Sequence, residues 1–181
     1  LCSRLLEDRQ FCELVLVHLN KDHLYEVLSL IIRHVRQHSS LIEKSSLSSV
    51  FPHFKYVIQK FMQLVCTLHS INSVIELLLL QKCQCSLITE SIITCMPSHF
   101  MLEVIDITAS IWGERSFLSR GNLLMQRQLT LAILIALERV NGDDLSNYVS
   151  ERNIPLIVTL SNGVSAYLDS LDNQTRLCGM K

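Results

Sequence analysis

Three cysteines and a histidine crowd into the nineteen residues QKCQCSLITESIITCMPSH, from Gln81 to His99. Thiolate and imidazole are the ligands of structural zinc, which takes four of them in a tetrahedron at about 2.0–2.3 Å. Cys83, Cys85, Cys95 and His99 are therefore the metal candidates of this chain. The element that must position them argues against it. Leu87, Ile88, Ile92 and Cys95 recur at helical spacing, which predicts a helix between Cys85 and Cys95. Ten helical residues rise about 15 Å, at about 1.5 Å each, so the two ends cannot reach one ion. Cys-x-Cys also departs from the Cys-x2-Cys spacing of common zinc knuckles. Free cysteine is among the most buried residue types and packs as a small hydrophobe. Packing is the preferred reading of these thiols, with a zinc-binding or thiol-reactive helical domain as the alternative.

Other constellations are weaker. His34 and His38 stand one helical turn apart in RHVRQH, a chelating spacing, but without the Glu that a zincin carries beside its first His. Two Arg and two His at the end of a helix suit its negative dipole end, which is a sufficient reason for them. Asp143 and Asp144 in GDDLSN suit the opening of a short helix for the mirror-image reason. There is no Gly-rich phosphate loop, no Gly-x-Ser-x-Gly elbow and no Cys/His pair with a third orienting residue. The expectation is a protein without catalytic residues and without a cofactor.

The surrounding pattern is helical nearly throughout. Leu5, Leu6, Cys12, Leu16 and Leu19 predict one helix near the start. Asp22 can cap a second that presents Leu24, Val27, Leu28, Ile31 and Val35 on one side. Residues 39–50 hold six serines in twelve and read as a flexible loop. A third helix carries Phe54, Ile58, Phe61, Val65 and Leu68 at steps of three and four. INSVIELLLLQ (71–81) and SLITESIITCM (86–96) follow, the latter stopped by Pro97. Ser98 can cap a helix that ends at Trp112, with Gly113 as its left-handed C-cap. Trp112 reads as core, and a buried indole N–H needs a partner. The oiliest helix follows, NLLMQRQLTLAILIALERV, apolar on every side in its LTLAILIAL stretch as a sandwiched helix is. Pro155 suits the first turn of IPLIVTLSNGVSAYLDS.

About nine helices joined by short turns leave two architectures, a bundle or an α-solenoid of stacked helix pairs. Hairpins starting near Leu5, His53, Ser86 and Asn122 give an irregular HEAT-like period of about 35–45 residues. The fold class is therefore all-α, with a solenoid of irregular helical hairpins over 1–181 as the finer expectation. Five Gly and three Pro are too few for an all-β chain, which needs a turn signal every 8–12 residues or so. A net charge of −1 draws the chain to neither nucleic acid nor an anionic membrane. Its longest apolar run, Leu131 to Leu137, is far short of the roughly 20 residues of a membrane span. Seven cysteines, odd in number and without framework spacing, point to a reducing compartment, cytoplasm or nucleus. A start without Met and an end just after Asp172 opens a new helix (172–181) read as a piece of a larger protein.

The C-terminal half carries a resemblance. VIDITASIWGERSFLSRGNLLMQRQLTLAILIALERV, followed by SNGVSAYLDSLDNQTRLCGM, resembles the telomere length regulation protein family, Tel-two or Clk-two, over about residues 75–180. The matching positions are Trp112, Gln126, Gln128, Gly163, Val164, Leu168, Asp169, Ser170, Arg176, Gly179 and Met180. Thr175 departs from the family's second basic residue before Arg176. The resemblance implies an α-solenoid scaffold without catalysis, present in cytoplasm and nucleus. It implies partnership with the other helical-repeat subunits of the triple-T complex and, indirectly, with the ninety-kilodalton heat-shock chaperone. The implied clients are phosphatidylinositol-3-kinase-related kinases of DNA-damage and growth signalling. The adaptor contact implied for the family lies on a phosphorylated acidic linker that this chain does not contain. Asp169 and Ser170 would end one helix, Asp172 would cap the next, and Gly179 would allow close helix approach. An unrelated HEAT or armadillo adaptor is the second reading.

Overall fold

The computed structural model describes residues 1–20, 23–38, 50–68, 75, 86–119, 123–150, 153–170, 176 and 180. Among them the regular structure is helical, with a single isolated bridge between Val149 and Pro155, so the protein is all-α. The chain divides into two compact units, Leu1–Met96 and Pro97–Lys181. Residues 39–49, most of 71–81, Asp22, and most of 172–181 lie outside the described residues, and with them the sequence expectations for a loop, a helix, a cap and a final helix start.

The first unit contains α1 (Cys2–Glu7), α2 (Arg9–His18), α3 (Leu24–Gln37), α4 (Phe54–Leu68) and α5 (Ser86–Cys95). The single helix expected near the start is two. At Asp8 the backbone is extended (φ −127°, ψ 107°), and its carboxylate accepts from the Phe11 N–H at 3.1 Å. Short acidic side chains compete with the helix for backbone donors, and here Asp8 wins by capping α2. Asp8→Ala should lower stability by about 1 kcal/mol, read as a lower urea midpoint by circular dichroism; an unchanged midpoint would mean the cap contributes nothing.

The core of this unit follows the predicted periodicity. Leu24, Leu28, Ile31 and Val35 of α3 are buried, with Ile32 beside them. Phe54, Ile58, Phe61 and Val65 of α4 are buried, joined by Val57 and Met62. Helix α4 lies at the centre, packed against α1, α2, α3 and α5. The His53 N–H donates to the Leu6 carbonyl at 3.2 Å, tying the start of α4 to α1. On the rim, the Arg9 guanidinium lies 4.2 Å from the centre of the Tyr56 ring, and the Tyr56 hydroxyl donates to Glu13. Lys60 Nζ is 3.7 Å from the same carboxylate. Such a pair at the surface is worth about 0–1 kcal/mol, so it orients α2 on α4 more than it stabilises.

The second unit opens with a 3₁₀ turn (Ser98–Phe100) and holds α6 (Met101–Trp112), α7 (Arg115–Ser119), α8 (Leu123–Leu137), α9 (Gly142–Asn147) and α10 (Leu156–Leu168). Ser98 makes no side-chain cap, because the 3₁₀ turn separates it from α6. Gly113 does follow α6, but at φ −81° and ψ −1° it is right-handed, so its reason is not the left-handed cap expected. Gly142 opens α9, whose first turn contains Asp143 and Asp144. Helix α6 is the hub, with α8 and α10 packed against it. Met101, Val104, Ile105, Thr108, Ala109 and Trp112 of α6 are buried. Leu129, Ala132, Ile133 and Ala136 of α8 meet them. Leu131, Leu134, Ile135 and Leu137 on its other side are only half-buried, so α8 is not fully sandwiched. No single helix among the described residues is long and apolar enough to cross a membrane.

Candidate functional site

Helix α10 carries four exposed large apolar side chains. Its 13 residues, LIVTLSNGVSAYL, include no charged side chain. Leu156, Gly163 and Tyr167, spaced by seven and four, are buried on the side that meets α6. On the other side Ile157, Val158, Val164 and Leu168 are 37–48% exposed. Ser161 and Ser165 lie between them. Ser161 Oγ donates to the Ile157 carbonyl at 2.8 Å, and Ser165 Oγ to the Ser161 carbonyl at 3.0 Å. A serine that bonds back to the preceding turn satisfies its own donor within the helix. Ile154, just before the helix, extends the apolar surface at 40% exposure. Asp169 ends the helix, with its N–H on the Ser165 carbonyl at 2.9 Å, and Ser170 follows, with its N–H on the Tyr167 carbonyl at 3.1 Å.

What holds α10 in place is Trp112. The indole stacks on the Tyr167 ring with centroids 4.4 Å apart and planes at 20°. Its Nε1–H donates to Thr130 Oγ1 at 2.9 Å, and that hydroxyl donates in turn to the Gln126 carbonyl at 2.9 Å. The buried N–H thus finds the partner it needs on α8. Gly163 lies under the ring: a Cβ there would be 2.6 Å from two indole carbons. A Cβ on Gly113 would be 2.8 Å from the Gly163 Cα, so the two glycines let the end of α6 approach α10. That close approach is why Gly113 is glycine.

Of the positions carrying the family resemblance, the structure packs Gly163 against the Trp112 ring, while Gln126 meets the Trp112–Thr130 hydrogen bonds only through its backbone carbonyl. Gln126 Nε2 donates to the Leu118 carbonyl at 3.3 Å, while its Oε1 is buried with no hydrogen-bond partner among the described residues. Gln128 is buried on α8; Val164 and Leu168 lie on the outer face of α10; Arg176 and Met180 are exposed. Gly179 lies outside the described residues. Tyr167, Thr130 and Gly113 were missed from sequence as members of this cluster. The available signal was the four-residue step from Gly163 to Tyr167, which puts both on one helical face.

The metal candidates are distributed differently. Cys83 and Cys85 lie outside the described residues. Cys95 is buried in the first unit, its Sγ 3.7 Å from the Lys55 carbonyl. His99, in the second unit, is exposed and its ring lies 4.1 Å from that of Phe100. Among the described residues no group of three or more His, Cys, Asp and Glu is arranged to hold a metal. The His34 and His38 rings are 4.8 Å apart, but each already has a partner. His34 Nε2 is 3.1 Å from Ser3 Oγ, and His38 Nδ1 donates to the His34 carbonyl at 2.9 Å. Burial, and then the neighbouring His38, lowers the His34 pKa below its ordinary value.

The buried thiols are held protonated. Burial raises Cys66 to about 11, and burial together with the Glu13 carboxylate raises Cys12 to about 11. The thiolate is the reactive form of cysteine. Alkylation of the folded chain at pH 8 should therefore spare Cys12 and Cys66 until denaturant is added, read by peptide mass spectrometry; labelling of both in the folded state would overturn this packing. A small cleft of about 180 Å³ lies beside α10, lined in part by Asp106, Ser110, Ser150, Thr159 and Asn162. Small-molecule pockets usually enclose about 300–1,000 Å³, so this cleft is small for one. Compared with protein-family models, with curated proteins and with solved structures, the chain matches none.

Proposed function

We propose that this chain is a non-catalytic segment of an α-solenoid scaffold of the telomere length regulation type, a co-chaperone component that supports the maturation of phosphatidylinositol-3-kinase-related kinases. The observation that carries the scaffold reading is α10, an uncharged helix with apolar side chains on both faces. A helix at the surface of a bundle turns a polar, usually charged face outward, whereas the outer face of α10 mixes Ser161 and Ser165 with Ile157, Val158, Val164 and Leu168 and carries no charge. Stacked helix pairs create that situation at every repeat, since each pair buries its second face on a neighbour. The outer face of α10 is thus a surface for another layer of protein.

The finer identity rests on the resemblance carried by Trp112, Gln126, Gln128, Gly163, Val164, Leu168, Asp169, Ser170, Arg176, Gly179 and Met180. Its support here is that Trp112 and Gly163 pack against one another, which gives two separated motif positions a common reason. The partners in this reading are the other helical-repeat subunits of the triple-T complex and the kinases themselves, with the heat-shock chaperone reached indirectly. The reading includes no direct contact with nucleic acid and places the protein in cytoplasm and nucleus. Affinity purification of the full-length parent from cell extract is the test. Recovery of a phosphatidylinositol-3-kinase-related kinase together with a triple-T subunit is expected; recovery of neither overturns the assignment.

A further inference from the structure

We draw no further inference here: the strongest candidate, the uncharged outer face of α10 formed by Ile157, Val158, Val164 and Leu168, already carries the proposed function, and nothing in the structure shows what covers it.

Discussion

Replacing Trp112 with alanine is expected to destabilise the second unit by about 3–5 kcal/mol, the range for truncating a buried aromatic. The indole is 4% exposed and fills the junction of α6, α8 and α10. Its loss removes the stack on Tyr167, and such aromatic pairs contribute about 0.5–1.5 kcal/mol beyond the area they bury. The Thr130 hydroxyl is not stranded by the change, because it still donates to the Gln126 carbonyl. Most of the cost is therefore packing. Trp112→Phe keeps a ring on Tyr167 and loses the N–H, so it should cost clearly less than alanine. Urea titrations followed by circular dichroism separate the two; equal losses would place the weight on the hydrogen bond instead.

Gly163→Ala is the second substitution with a large expected effect, and its sign is the informative part. Alanine in mid-helix is ordinarily favoured over glycine by about 0.8–1 kcal/mol. Here the new Cβ would meet two indole carbons at 2.6 Å. The ring cannot simply slide away, since Tyr167 holds its face and Thr130 holds its N–H. Overpacking of this kind costs about 1–3 kcal/mol, occasionally more, so the net result should be a loss. In a Trp112→Ala background the clash vanishes and the nearest remaining contact is the Gly113 Cα at 3.5 Å, an ordinary separation. The same substitution should then stabilise. A double-mutant cycle measures this coupling, and a Gly163→Ala effect of one sign in both backgrounds would refute the packing described.

How far the sequence reaches depends on whether the deciding contact is local. Helices α3 and α4 were legible because their apolar residues repeat over three or four turns and the core reads that repeat directly. The break at Asp8 was not, because one carboxylate diverts the chain inside an otherwise unbroken helical pattern. Gly113 shows the limit most clearly. A glycine after a helix signals either freedom in φ or a lack of side-chain volume, and only the Cα of Gly163 on another helix tells which. The serine at 98 was a sound cap type in a place where a 3₁₀ turn intervened. The absence of charge from α10 was plain in the sequence, but which of its faces turns inward is set by Trp112. Its outward face, the basis of the functional proposal, could not be chosen without that ring.

The chain has a single tryptophan, and it belongs to Pro97–Lys181. Intrinsic fluorescence excited at the indole therefore observes one unit and is blind to the other, while far-ultraviolet ellipticity sums the helices of both. Overlay of the two unfolding curves becomes a test of cooperativity that needs no label: coincidence of different probes is the mark of a single all-or-none transition. Where the curves part, their separation measures how far Leu1–Met96 melts independently of the segment that the indole reports.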